Sequence, residues 1–180
     1  MTCVRYEVDG WGVGELWTEE SRVVWHEHPR PRAPQSHPHP LKGGGRFPSP
    51  PSTATLSRKN ARDRDDFAPI LVGRLQAYFA GAQDDFADVE LDLDELTPFG
   101  RALVRALRGV PRGEVVTYGE LAALAGRPRA PRAAGTFCAQ NRLAIFVPCH
   151  RVVGAIGLGG YGDLGLDYKR RLLALEDVSF

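Results

Sequence analysis

The chain has 180 residues, 43% of them hydrophobic, which is enough for a packed core in one domain or two small ones. No stretch approaches the roughly 20 apolar residues of a membrane span, and the opening MTCVRYEVDG lacks the basic patch and apolar run of a secretory signal. Three cysteines, Cys3, Cys138 and Cys149, cannot close a disulfide framework, so a reducing cytoplasm is the expected compartment and no membrane partner is expected.

The net charge of +1 conceals an asymmetry, because residues 1–96 hold 11 Lys and Arg against 16 Asp and Glu, whereas residues 97–180 hold 12 against 6. A basic C-terminal half points to an anionic partner, with nucleic acid the first candidate and a merely solvated basic surface the alternative.

In chain order, VRYEV and WGVGELW flank Asp9-Gly10, and RVVWHEH follows after TEES, which predicts a small antiparallel sheet. Residues 29–66 hold 8 of the 14 prolines, the run Gly43-Gly44-Gly45 and almost no apolar clusters. Such a segment buries too little surface to offset the entropy of ordering, and it reads as a flexible insert. Its SHPHP run has no nearby Cys or carboxylate and is a weak metal signal. Cys3 with His26 and His28 is a better zinc candidate, although a fourth ligand is missing.

APILVGRLQAYFAG has helical spacing with Ile70, Leu71, Leu75 and Tyr78 on one side, and VELDL alternates like a strand. Thr97-Pro98 opens a helix whose stripe is Phe99, Ala102, Leu103, Ala106 and Leu107, ending near Gly109. The composition turns basic here, which puts a domain boundary around residues 92–96. Thr117 and Glu120 have capping-box spacing and open a short helix ending at Gly126. APRAAGTFCAQ continues as a second short helix, and the pair makes a helix-turn-helix. Arg127, Arg129 and Arg132 cluster at the start of the second helix, where phosphate contacts gain from the helix dipole. The alternative is that Ala133, Ala134 and Gly135 simply permit close helix packing.

After Asn141 the apolar run LAIFV reads as a strand that delivers VPCHRVV. Cys149 there is either a core cysteine, since free Cys packs as a small hydrophobe, or a reactive thiolate made acidic by His150. Neighbours on an extended strand point to opposite faces, so the two need a turn or a bridging water to cooperate, and Pro148 offers the turn. A Gly-rich loop, GAIGLGGYGDLG, and a helix, DYKRRLLALE, complete the chain.

PCHRVV, preceded by TYGELAALAG and followed by GGYG and KRRLLALE, resembles the O6-alkylguanine-DNA alkyltransferases, also called methylated-DNA-protein-cysteine methyltransferases. The resemblance is dense over 97–178 and looser before it, and the 29–66 insert has no counterpart. It implies an α/β protein: a small N-terminal sheet-plus-helix domain over 1–96, then a mainly helical C-terminal domain over 97–180 with the helix-turn-helix and an active-site cysteine. It also implies direct-reversal repair of DNA, in which the alkyl group of O6-alkylguanine, or of O4-alkylthymine, passes irreversibly to Cys149 by SN2 displacement, once per molecule and without a cofactor. His150 is implied as base through a water, and Glu176 as the group orienting it.

Tyr118 is implied to contact the flipped nucleotide, and Arg132 to fill the gap in the duplex. Asn141 is the implied hinge, while Tyr161, the Val152 backbone, Cys138 and Gly160 border the guanine pocket. A base inside the stack must be extruded before chemistry, which suits these assignments. The small residues Ala133 and Gly135 suit close approach to the minor groove, with Arg127 and Arg129 beside them. The implied partner is double-stranded DNA carrying an alkylated guanine, met by a monomer.

Two departures touch the pocket: Arg142 stands where the family usually has proline, and Cys138 where it has a larger apolar residue. The loop from Cys149 to Tyr161 also runs one residue short, which bears on alkyl-size preference. The rivals are a non-catalytic lesion-binding protein, against which Cys149 argues, and a thiol hydrolase, which has no use for an arginine-bearing helix pair.

Overall fold

The computed structural model describes residues 1–31 and 66–179. Most of the insert read at 29–66, with its SHPHP run, lies outside the described residues. Its first two positions belong instead to a strand.

The N-terminal sheet has the order β1-β2-β3 from Thr2–Val8, Gly12–Glu19 and Arg22–Arg30, all antiparallel. Asp9-Gly10 lies in the first turn, with Gly10 at φ 72°, and Glu20 and Ser21 turn the second with φ 49° and 64°. Two successive positive φ values match the twist of a two-residue hairpin. Alternation puts Tyr6, Leu16, His26 and His28 on the core face.

Helix α1, Phe67–Phe79, lies against this sheet through Leu71, Leu75 and Tyr78. Ile70, expected on that stripe, is 63% exposed. Buried Ala68 belongs to the inward face instead. The VELDL segment forms a single parallel bridge, Leu91 to Val23, in place of the expected strand.

Helix α2, Pro98–Arg108, is capped by Thr97, whose Oγ1 accepts from Gly100 N at 3.1 Å. Its buried face carries Leu103, Val104 and Leu107. Helix α3, Tyr118–Leu124, opens on the predicted capping box: Glu120 N donates to Thr117 Oγ1 at 3.1 Å and Thr117 N to Glu120 Oε2 at 2.7 Å. Helix α4, Pro131–Ala139, packs on α3, and together they form the helix-turn-helix. A two-stranded parallel sheet, β4 Val116–Thr117 with β5 Val152–Val153, joins the start of α3 to the residues after Cys149. Helix α5, Gly165–Leu175, is the last helix of the described residues. One hydrophobic cluster runs from Tyr6 and Leu16 of the sheet through Leu75 and Leu107 to Phe146 and Leu172.

Candidate active site

The expected strand LAIFV is a buried turn. Val147 N donates to Leu143 O at 2.8 Å, and Ile145 sits at φ 73°, a strained position for a β-branched residue. An apolar run reads alike as strand or buried turn by periodicity alone. Here side chains and a neighbouring strand supply the hydrogen bonds that a sheet would have made. Asn141 Nδ2 donates to Val147 O at 2.8 Å, and its Oδ1 accepts from Leu143 N at 3.0 Å. From β3, His26 N donates to Arg142 O at 2.9 Å, and His26 Nδ1 to Ala144 O at 2.8 Å. Arg142, the residue that departs from the family pattern, ion-pairs with Glu95 at 2.9 Å and Asp92 at 3.5 Å, fastening this turn to the preceding segment.

The turn releases Cys149, His150 and Arg151 as one 3-10 turn after Pro148. Cys149 is 7% exposed, and its Sγ accepts from Asn141 Nδ2 at 3.2 Å. Burial pushes the thiol up, while the Asn141 bond, the Lys169 charge and a Tyr161 hydrogen bond oppose that rise. Cys138, half-buried nearby, is raised strongly by burial and by the neighbouring Cys149 thiol, with Lys169 alone opposing. Of the two thiols, Cys149 is the one whose sulfur receives a side-chain donor among the described residues, Asn141 Nδ2, which favours the charged form.

His150 is fully buried, and its Nε2 donates to Glu176 Oε1 at 2.9 Å. Its Nδ1 is buried with no partner among the described residues. That leaves a bare lone pair, which a general base needs. Burial holds the imidazole below its ordinary value although Glu176 pulls the other way. Glu176 sits at the C-terminal end of α5 and is 1% exposed. Burial would raise its carboxyl, yet the bonds from His150 and Arg151 outweigh it and keep the group well below the usual carboxylate range.

Three further residues complete this cluster, and sequence reasoning did not find them. Tyr78 of α1 donates its hydroxyl to Glu176 Oε1 at 2.6 Å. Arg151 grips the same carboxylate through Nε and Nη2, both at 2.8 Å, and donates to Val110 O at 2.7 Å. Lys169, fully buried, donates to the carbonyls of Val152 and Leu158 at 2.5 Å and faces Gly160 O at 3.4 Å. Tyr78 shares its helical phase with core residues, and a Lys in a charged helix reads as surface, so neither carried a signal in the chain. Arg151 lay inside the motif, but its partner is 25 residues away.

The remaining candidates divide between a pocket wall and an outer face. Tyr118 lies between Gly135 of α4 and Gly159 of the Gly-rich loop. A Cβ on Gly159 would stand 3.0 Å from the Tyr118 ring at φ 72°, so only glycine fits there. Tyr161, half-buried, holds its hydroxyl 2.8 Å from His28 Nε2. A groove of about 520 Å³ is lined by Thr117, Tyr118, Gly119, Pro131, Arg132, Gly135 and Ala155. Arg127, Arg129, Arg132 and Ala133 are all exposed; Arg132 lines the groove, and the Arg127 guanidinium lies 4.9 Å over the Phe99 ring of α2.

The zinc candidate does not assemble. Cys3 pairs with Trp17 and His26 with Leu16, which are neighbours on β2, so strand alternation sends the thiol to the outer face and the two imidazoles into the core. No group of three or more metal-binding side chains occurs among the described residues.

Fold and site together define an α/β protein in which a helix-turn-helix stands beside a buried thiol and a His-Glu pair. Residues 98–178 match the family model of the 6-O-methylguanine DNA methyltransferase DNA-binding domain. The chain is 53% identical over 106 residues to the methylated-DNA-protein-cysteine methyltransferase of Mycolicibacterium paratuberculosis, an alignment covering 58% of this chain and 62% of that protein's length. It is 50% identical over 115 residues to the Methanosarcina acetivorans protein of the same name, covering 63% of this chain and 72% of the other. The Mycobacterium tuberculosis OGT solved in complex with DNA superposes with a TM-score of 0.67 at 34% identity, covering 97% of this chain and 92% of that one. The chain belongs to the methylated-DNA-protein-cysteine methyltransferase family.

Proposed function

We propose that this chain repairs alkylated DNA by direct reversal, taking the alkyl group from O6 of guanine, or O4 of thymine, onto the Cys149 sulfur. The observation that carries the reading is the site itself. Cys149 accepts a hydrogen bond from Asn141 beside a His150-Glu176 pair, next to an exposed arginine-bearing helix pair.

The step is a displacement at carbon. His150 Nδ1, through a water, takes the thiol proton, and the ionised Glu176 stabilises the imidazolium that results. The thiolate forms a carbon-sulfur bond as the carbon-O6 bond breaks, and its electron pair remains on the base, which becomes ordinary guanine on gaining a proton at N1. The thioether offers no easy route back, so each molecule acts once. The displacement calls on a thiolate and a base, both supplied by side chains of this chain.

A base in the duplex must leave the stack to reach a buried sulfur, which assigns Tyr118 to the flipped nucleotide and Arg132 to the gap it leaves. Ala133 and Gly135 let the reading helix approach the minor groove, and Arg127 and Arg129 lie beside it for phosphates. Val152, Gly160, Tyr161 and Cys138 border the base. Residues 97–180 then form the DNA-binding and alkyl-accepting domain, 1–96 the domain that braces it, and the protein acts as a cytoplasmic monomer.

The test is peptide mass analysis after incubation with duplex DNA containing O6-methylguanine. The Cys149 peptide should gain one methyl group, with activity ending after one equivalent. Multiple turnovers, or a label on Cys138 or Cys3, would overturn the assignment. Cys149→Ser should abolish transfer and leave lesion binding intact.

A further inference from the structure

We propose that His28, on the N-terminal sheet, points the hydroxyl proton of Tyr161 at the Cys149 sulfur, forming a donor chain from imidazole to phenol to thiolate. The proposal deepens the reading above and rests on Cys149 being the nucleophile.

The geometry is that of a buried, one-sided imidazole. His28 projects from β3, is 5% exposed, and meets the Tyr161 hydroxyl through Nε2 at 2.8 Å. Its Nδ1 is buried with no partner among the described residues. The Tyr168 ring lies 5.2 Å from the imidazole, the Tyr161 ring 5.7 Å and His26 5.6 Å, while Arg30 and His150 bear on it electrostatically. Burial, then the neighbouring His26, His150 and Arg30, hold His28 well below its ordinary value, so it carries a single N–H at neutral pH.

That one proton has two possible seats, and they differ in cost. On Nδ1 it would be a buried N–H donor with nothing to receive it. On Nε2 it is used, and the atom left bare is an acceptor, the cheaper of the two to strand. Nε2–H therefore donates to Tyr161 Oη. A phenol has only one hydrogen to give. With His28 as donor, the Tyr161 O–H is left to its other polar neighbour, the Cys149 sulfur, whose charged form Tyr161 favours. Donation into the phenol oxygen strengthens the phenol's own donation. The sulfur then receives Tyr161 and Asn141 together, with Lys169 as the near cation and Cys138 as the other thiol facing it. The reverse order, in which Tyr161 donates to His28 and the thiol donates to Tyr161, keeps the sulfur protonated and strands an N–H.

His28 is a positioning residue, and the experiment reads the thiol directly, with no DNA. The full chain is alkylated with iodoacetamide across a pH series, and the rate at Cys149 is followed by peptide mass. His28→Phe should slow the pH 7 rate roughly five- to tenfold and move the thiol titration upward by up to about one unit. Tyr161→Phe should slow it at least as much, and the double variant no further. His28→Gln keeps an N–H at the same reach and should recover at least half of the rate. Nitrogen-15 NMR of the labelled chain should find His28 protonated on Nε2, a reading that decides the matter if His28→Phe does not fold. An unchanged pH profile in His28→Phe, single effects that multiply in the double variant, or a proton on Nδ1 would each overturn the proposal. Because the probe is a small electrophile, failure of alkyl transfer from DNA would be seen separately from failure of the relay.

Discussion

Residues 97–179 and the described residues before them contribute to one site by different routes. The C-terminal part carries the sulfur, the imidazole and the carboxylate in short motifs, and the family model matches this part at 98–178. The N-terminal part has no such motif, yet Tyr78 reaches Glu176, His28 reaches Tyr161, and His26 holds the carbonyl of Ala144 in the turn before Cys149. The motif names the candidate reacting atoms. Their hydrogen-bonded surroundings are closed here by a region with no motif of its own.

The largest expected effect is on stability in acid, where the N-terminal part has most at stake. Burial lowers His26 to about 4 from an ordinary 6.5. The unfolded chain therefore binds a proton that the folded chain refuses, and stability falls as pH drops from about 6.5 towards 4. His26 alone accounts for roughly 3 kcal/mol across that window. His28 and His150, lowered in the same direction, add to the loss, whereas Glu176 contributes only below the ordinary carboxylate range. Urea midpoints at pH 7.5 and pH 5 check this. Equal midpoints would mean that these imidazoles do not hold the two parts together.

Arg132→Ala probes the C-terminal part alone. If Arg132 occupies the vacated stack, repair within paired DNA should slow on the order of 10- to 100-fold, because unstacking costs a few kcal/mol that nothing else offsets. Reaction with free O6-methylguanine base should survive. The comparison is the ratio of paired-DNA to free-base rates, and an unchanged ratio would reduce Arg132 to a phosphate contact.

Tyr78→Phe carries the smallest effect and the sharpest bearing on the comparison. The carboxylate keeps His150 and Arg151, so the stability cost should be on the order of 1.5 kcal/mol, that of one hydrogen bond to a charged group. Alkyl transfer should slow several-fold as Glu176 loses a brace. A stability loss with an unchanged transfer rate would make the N-terminal part scaffold and nothing more.

Legibility followed the reach of each interaction. The capping box at Thr117 and Glu120 and the Thr97 cap are visible in the chain because donor and acceptor lie three residues apart. Cys149, His150 and Glu176 were visible through a motif resemblance, and the last two meet at 2.9 Å. LAIFV misled because a buried turn and a buried strand share an apolar pattern, and what separates them is the Asn141 side chain together with the edge of β3. Ile70 misled because a helical stripe can be drawn with either flank facing inward.

The sequence by itself determined the short helices and marked Cys149 and His150 as candidates, since these depend on spacing within a few residues or on a motif. Only the tertiary structure decided that Cys3 and His26 face apart, that Lys169 is buried, and that a tyrosine 98 positions before Glu176 shares its carboxylate. The physical reason is that a hydroxyl and a carboxylate so far apart leave no periodic mark on the chain. Their meeting is fixed by how α1 and α5 pack on a common core.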